Sequence, residues 1–397
     1  MRKLNTLAFT VAGRATSRQI NRGIALNLVR VHQPISRADL ARRMNTTRGA
    51  VGLLVDQLIA EGLIYEGATG SAPRGRKPVF LFVRTNDRLA AAADIRASRI
   101  EAMLADFGGR CIALETFEPA YDPSEFVKRY ASWFRTTMKK NTSAGKCEGI
   151  GVVVPGMVDR NSGRVINAPL LGWRNVDIRS HLSKATGLPV FVESAGRACA
   201  LAQLWLGSDD SADTHNFIYV SVSDGVGTGL VIGGEVVRGH NQIAGEFGHM
   251  PIRPDGPPCA CGATGCWMAS VSNLATVARY QGTTDGRRAG LTVTDIIRRS
   301  RGGDGQAAAA IQETARYLGL GLVTLIHGVD PACIYIGGEI TAAWDIIEPV
   351  IHSILTERSL SGEEIRTSIV PSKLEHPRLR GAAALVSAPM FSVPRLT

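Results

Sequence analysis

Gly245–Ser270 reads GEFGHMPIRPDGPPCACGATGCWMAS. It holds three of the chain's seven cysteines within eight residues, and a histidine stands ten positions before the first of them. His249, Cys259, Cys261 and Cys266 make a Cys3His set, the usual donor set of a closed tetrahedral zinc site. The other reading is a group of free buried thiols, which is how Cys111, Cys147, Cys199 and Cys333 are read. Three thiolates with no open position would tie down a loop and would not activate water. Pro251, Pro254, Pro257 and Pro258 stiffen this loop but give it no core. A metal would supply what packing does not.

The positive charge lies elsewhere. The 397 residues carry a formal net charge of +10. Up to Arg88 there are 15 Lys/Arg against 5 Asp/Glu, and beyond it the two signs balance at 30 each. A basic module on a neutral body reads as a nucleic-acid contact joined to something else. The length suggests two or three domains, and 45% hydrophobic with 20% charged residues is ordinary for a globular chain. No apolar leader with a small-residue cleavage site is recognised. The most apolar stretch, YLGLGLVTLIHGV, is short and soon meets Asp330 and Pro331, so no membrane span is expected. An odd number of cysteines, three of them clustered, points to a reducing cytoplasm and to metal rather than disulfides.

After a tail over 1–16, residues 17–84 read as one module. Ile20, Ile24, Leu28 and Val31 recur at helical spacing and predict an amphipathic helix ended by Pro34. Ser36 is a good N-cap for SRADLARRM, which buries Leu40 and Met44. NTT makes a turn. A third helix from about Thr47 puts Val51, Leu54, Val55, Leu58 and Ile59 on one face, and Gly62 stops it. This is a helix-turn-helix. Leu63–Glu66 and Val79–Val83 read as strands of a wing, with a basic wing and linker over 69–78. The start of the second helix of the pair enters the major groove in such modules. Candidate contacts to double-stranded DNA are therefore Thr46, Thr47, Arg48 and Gly49, with Ser36 and Arg37 at the start of the helix before it. Arg48 can reach phosphate or guanine, and the threonines a phosphate or a thymine methyl. Arg74, Arg76 and Lys77 lie in RGRKP, which resembles an AT-hook core suited to a narrow A/T-rich minor groove. A flexible basic linker is the plainer reading of RGRKP, and a protein-binding winged helix that of the module. The concentrated charge favours DNA.

Beyond Arg88 the pattern becomes short apolar strands, glycine turns and helices. AAADIRASRIEAMLADFGGRCIALETFE reads as a hairpin around DFGG. GIGVVVPGMVDRNSGRVI, NFIYVSVSDGVGTGLVIGGEVVRG and ACIYIGGEI repeat strand and glycine loop, interleaved with helices, which indicates α/β architecture.

These stretches resemble the ROK family, which groups sugar-responsive repressors with sugar kinases of the actin-like, hexokinase-type fold. SRADLARRMNTTRGAV, GLIYEG, GRKP and GVVVPGMVD look like its repressor branch, as does AGEFGHMPIRPDGPPCACGATGCW, and the likeness runs through nearly the whole chain. It implies a winged helix-turn-helix followed by two α/β lobes that close on a sugar cleft about a hinge. The first lobe would be 88–194 with about 381–397. The second would be 195–380, with the zinc site and an oligomerisation surface. The resemblance favours zinc over free thiols, and implies that His249 faces the metal with one nitrogen and the cleft with the other.

The same resemblance bears on catalysis. Family kinases carry Asp-x-Gly-Gly-Thr after the first strand. Here DIRAS, Asp94 to Ser98, keeps the aspartate but has Arg96 and Ala97 for the glycines. SDGVGTG, Ser223 to Gly229, puts Asp224 in the second phosphate loop, where like charges repel. Its remaining glycines are explained by the tight turn. The family's Asn-Asp pair, whose aspartate is the general base, is Ser194-Ala195 in VESAGRA, and alanine cannot accept a proton. No phosphotransfer and no ATP are expected. Of the sugar-binding set, Glu246 and His249 remain. Leu170 in NAPLLGW, Ser194, Ala195 and Met268 in GCWMAS stand where hydroxyl partners would be. An effector pocket of Glu246, His249, Leu170, Ser194 and Met268 suits a ligand more apolar than sugar, or none. The expectation is a repressor acting in carbohydrate metabolism as a homodimer or homotetramer. The alternatives are a sugar kinase with an appended DNA-binding module, and a regulator whose DNA binding ignores small molecules.

Overall fold

The structure, a computed structural model, describes residues 13–69, 77–207, 215–284, 286, 290–358, 360 and 366–392. Arg74, Arg76, most of the expected wing loop and most of the expected tail lie outside the described residues.

The N-terminal module runs α1 (Arg14–His32), β1 (Ile35–Ser36), α2 (Arg37–Arg43), α3 (Arg48–Ala60), β2 (Ile64–Thr69) and β3 (Val79–Val83). Its antiparallel strands lie in the order β1-β3-β2. This is a winged helix-turn-helix. Both helix starts have a local cause. The Ser36 hydroxyl accepts the Asp39 N–H at 3.1 Å, and the Thr47 hydroxyl accepts that of Ala50 at 3.3 Å. Gly62, at φ 66°, follows the end of α3 in the left-handed region. Val51, Val55 and Leu58 of α3 are buried with Leu40 of α2, as their spacing implies.

α1 departs from expectation. Its buried residues include Ala25, Leu26 and Val29, while Ile24 and Val31 are 38% and 62% exposed. The helix is gripped from two sides, by α3 and by the body. The Asn27 amide donates to the Phe391 carbonyl at 2.5 Å, and Arg30 donates to that of Trp205 at 3.0 Å. Arg30 also lies 4.8 Å over the Trp205 ring. Docking of polar residues on the body turns the helix away from its largest apolar stripe.

The first sheet has the order β11-β7-β4-β5-β6. β4 (Arg88–Ile95), β5 (Ile100–Asp106) and β6 (Cys111–Phe117) form a meander, and β7 (Lys146–Val154) and β11 (Val190–Ser194) extend it in parallel. The single hairpin expected around DFGG is thus two, because the chain also turns back between β4 and β5. One face is covered by α4 (Pro123–Lys140) and α5 (Ile178–Thr186). A small sheet, β8 (Met157–Asp159), β9 (Arg164–Ala168) and β10 (Trp173–Val176), lies alongside.

The second sheet has the order β14-β13-β12-β15-β16. Its strands are β12 (Phe217–Val222), β13 (Val226–Ile232), β14 (Glu235–Val236), β15 (Cys333–Gly337) and β16 (Ser368–Pro371). One face packs on α7 (Trp267–Val271), α8 (Asn273–Gln281), α9 (Val293–Arg301), α10 (Gly305–Val329) and α11 (Trp344–Glu357).

Two helices lie between the sheets. α6 (Ala195–Leu206) rests on β12 and β13, α12 (Pro377–Phe391) on β4 and β7, and the two pack on each other. The approach is close because side chains are small. A Cβ on Gly151 of β7 would lie 1.9 Å from the Ala382 carbonyl oxygen. α12, which begins at Pro377, thus packs on the first sheet near the expected return at about 381. Cys147, Cys199 and Cys333 are buried and Cys111, on an outer strand, is exposed, and none of the four is in a disulfide. Among the described residues no helix is long and apolar enough to cross a membrane.

Candidate functional site

A cavity of about 350 Å³ opens between the sheets. Leu170, Ser194, Glu246, His249 and Met268, expected as a pocket from the sequence, all line it, and so does Ala195 at the start of α6. Leu170 and Met268 come from opposite lobes and meet over Gly225. A Cβ there would lie 2.9 Å from Met268 Cε and 3.4 Å from Leu170 Cδ1. Beside them, Glu246 and His249 sit on one short turn. Burial pushes the Glu246 carboxyl up from its ordinary value, against the pull of Arg197 and His249. Arg197 is held by Glu193 at 2.7 Å and by the Gln242 carbonyl at 3.0 Å.

The DIRAS turn does more than lose its glycines. Arg96 Nε donates to Asp94 Oδ2 at 2.7 Å and its Nη1 to Glu339 Oε1 at 2.9 Å, and Glu101 lies 3.3 Å away. Arg99 reaches Glu101 and Glu339 at 3.4 and 3.3 Å. Arg378 of α12 meets Asp94 Oδ1 at 2.7 Å and donates to Ser223 Oγ at 3.2 Å. The Ser98 N–H donates to Asp224 Oδ2 at 3.0 Å, and Asn273 donates to Glu339 Oε2 at 2.8 Å. Three arginines pair with Asp94, Glu101 and Glu339 in one network. It joins the β4–β5 turn to Ser223, Asp224, Asn273 and Glu339 of the second lobe. Burial pushes Glu339 up, but Arg96, a backbone N–H, Asn273 and Arg99 together outweigh it and the carboxyl is held at about 2. Arg99, Glu339 and Arg378 were not legible as site residues, since more than 200 positions separate the partners.

The glycines of SDGVGTG also have a cause other than the expected turn. A Cβ on Gly229 would lie 2.4 Å from the Gly196 carbonyl oxygen, and one on Gly196 would lie 2.3 Å from the Thr228 nitrogen. Close packing of α6 on β13 requires them.

His249, Cys259, Cys261 and Cys266 bring their donor atoms within 4.8 Å of one another. His249 Nδ1 is 3.7 Å from Cys259 Sγ, and Cys261 and Cys266 Sγ are 3.7 Å apart. A tetrahedral ion with metal–sulfur bonds of about 2.3 Å has sulfur–sulfur edges of roughly 3.8 Å, far longer than a disulfide at about 2.05 Å. The four residues fit a metal ion. The loop has more support than its prolines suggest. Cys259 and Cys266 join the second-lobe core with Trp267, whose ring N–H donates to the Tyr317 carbonyl at 2.9 Å.

On the winged helix, Thr46, Thr47, Arg48 and Gly49 are exposed at the start of α3, and Lys77 is exposed beyond the wing. Two of the expected DNA contacts have partners within the module. Ser36 is buried, and its hydroxyl caps α2 while donating to Asp39 at 2.6 Å. Arg37 is drawn to Asp56 at 2.7 Å and Glu66 at 3.0 Å, which ties α2 to α3 and β2. Neither side chain is directed to a partner by this arrangement.

Comparison with known proteins agrees with this architecture. The ROK family model matches residues 90–388. A putative xylose repressor of Caldicellulosiruptor sp. (strain Rt8B.4) is 30% identical, over 96% of this chain and 98% of its own. The crystal structure of a ROK family transcriptional regulator, a homologue of the E. coli MLC protein, is similar with a TM-score of 0.77 and 27% identity, covering 95% of this chain and 97% of that one. A ROK family glucokinase from Streptomyces griseus, in complex with glucose and AMPPNP, covers 75% of this chain and 98% of its own, with a TM-score of 0.64 and 25% identity. The glucokinase match spans only the share of the chain that a two-lobed body would fill, whereas the xylose repressor and the MLC homologue cover nearly the whole chain. With its body matched by the family model and its full length by a relative at this identity, the chain belongs to the ROK family.

Proposed function

We propose that this protein is a DNA-binding transcriptional repressor whose kinase-like body serves as a sensor or scaffold without phosphotransfer activity. The observation that carries the reading is an exposed Thr46–Gly49 corner on a winged helix docked to a two-lobed ROK body. Relatives named as a xylose repressor and a transcriptional regulator support it. Thr46, Thr47, Arg48 and Gly49 meet the major groove of an operator, and Arg74, Arg76 and Lys77 follow an A/T-rich minor groove beside it. The protein acts in the cytoplasm as a homodimer or homotetramer, with recognition helices roughly 34 Å apart or a multiple of that. His249, Cys259, Cys261 and Cys266 hold a structural zinc ion that fixes the loop behind the cavity. ATP is not a cofactor. Ala195 offers no base, and the Arg96 network fills the turn where a phosphate cradle would need open backbone.

Footprinting on DNA upstream of the protein's own gene tests this. Two protected half-sites are expected, weakened by Arg48→Ala. A chain that protects no DNA ends the reading. The similar glucokinase favours a second reading, a sugar kinase carrying a DNA-binding module. Turnover of ATP with a panel of hexoses and amino sugars would establish it.

A further inference from the structure

The cavity between the lobes has walls made mainly of carbon, with Leu170, Met268, Ile243, Val226, Met157 and Pro155 among them. Several of its polar groups are already committed. The Thr228 hydroxyl donates to the Gly245 carbonyl. Ser223 accepts from Arg378, and Arg378 is bound to Asp94. The side chains of Glu246, Ser194 and Asn167 also line the cavity, and among the described residues no hydrogen bond is made to them. A polyol needs a partner for nearly every hydroxyl, because each one buried unmet is penalised. These three groups with His249, among carbon walls, do not meet that need. They do meet the need of a molecule with one polar end. Glu246, a carboxylate with no donor against it, calls for an O–H or N–H from the ligand. Met268 adapts to irregular apolar shapes, and a space of about 350 Å³ has room for a small ring system. The network through Arg96 and Glu339 holds the lobes on either side, so the cavity is formed before anything enters it.

We propose that this cavity binds a compact, mainly hydrocarbon ring carrying one hydroxyl or amine, with the donor on Glu246 and the ring against Leu170 and Met268. The proposal rests on the regulator reading for the name effector, but not for its test.

The test uses the full chain and four probes: cyclohexylmethanol, cyclohexylmethylamine, xylose and N-acetylglucosamine. Binding is followed by titration calorimetry and thermal shift. At least one cyclohexyl probe is expected to bind saturably, and both sugars to bind more weakly or not at all. Leu170→Asn and Met268→Glu should each weaken the bound probe by roughly tenfold or more, the scale set by a lost apolar contact. Neither cyclohexyl probe binding at millimolar concentration overturns the proposal, as does a sugar binding more tightly than both. Unchanged probe affinity in both variants also overturns it. The wild-type panel decides the matter even where a variant fails to fold. Operator footprinting run in parallel keeps the two ideas apart. Probe binding without DNA protection ends the regulator reading and leaves the pocket standing, and the reverse result does the opposite.

Discussion

Arg96, in the turn between β4 and β5, donates to Glu339 at 2.9 Å across 243 positions of sequence, and so bridges the two lobes. Both side chains are mostly shielded, at 10% and 29% exposure. Removing one member of a buried pair costs about 3–5 kcal/mol where the other is left uncompensated, and Glu339 keeps Arg99 and Asn273, so the lower end of that range applies. Arg96→Ala should lower stability on that scale in urea unfolding. Arg96→Ala with Glu339→Ala should cost less than the two single losses summed, with a coupling of about 1–3 kcal/mol. Additive losses would mean that the bridge is geometric only.

Acid should loosen the same bridge. The Glu339 carboxyl lies at about 2 against an ordinary 4.5. A depressed acid contributes stability that is complete above its unfolded value and is lost as pH falls through its folded one. The window is therefore pH 4.5 down to 2, and the contribution is on the order of 3 kcal/mol. Glu339→Gln should flatten the stability profile across that window and leave its shape above pH 5 unchanged.

Restoring the missing base should not restore a kinase. Ala195→Asp puts a carboxylate at the start of α6, but Arg96 remains paired with Asp94 and Glu339. No ATP consumption with glucose or xylose is expected from the single variant. Turnover there would show that the arginine network is no barrier.

Metal analysis should find one zinc per chain. Cys261→Ser should lose most of it and lower the melting temperature by several degrees, because the ion closes a loop of mostly turn structure. Full metal content in that variant would remove Cys261 from the ligand set.

Arg48 and Arg37 should separate in DNA binding. Arg48→Ala should cost about 1–3 kcal/mol of operator affinity. Arg37→Ala breaks partly exposed pairs with Asp56 and Glu66, worth about 0–1 kcal/mol in stability. Its operator affinity should stay close to that of the wild type.

The parts legible in the sequence are those built from local signals. Ser36 and Thr47 cap helices where their positions imply, and His249 with three cysteines gathers as its spacing implies. Leu170 and Met268 were readable as cavity residues through the family likeness. The face of α1 was not, because Trp205 and Phe391 turn it and neither is near in sequence. Arg37 looked like a DNA contact because a basic residue at a helix start has two uses, and only packing against Glu66 decides between them. Arg96 is visible in the sequence only as a replaced glycine. Its role as a tie depends on Glu339, and no periodic pattern links the two.

α6 has one end at the cavity, where Ala195 forms part of the wall, and the other at Trp205, where Arg30 of the winged helix lies across the ring. Its 12 residues make a rod of roughly 18 Å. Tilting such a rod by about 5° about its cavity end moves the far end by roughly 1.5 Å. A change of cavity shape that tilted α6 would therefore shift the seat of Arg30, and with it the attitude of the winged helix-turn-helix.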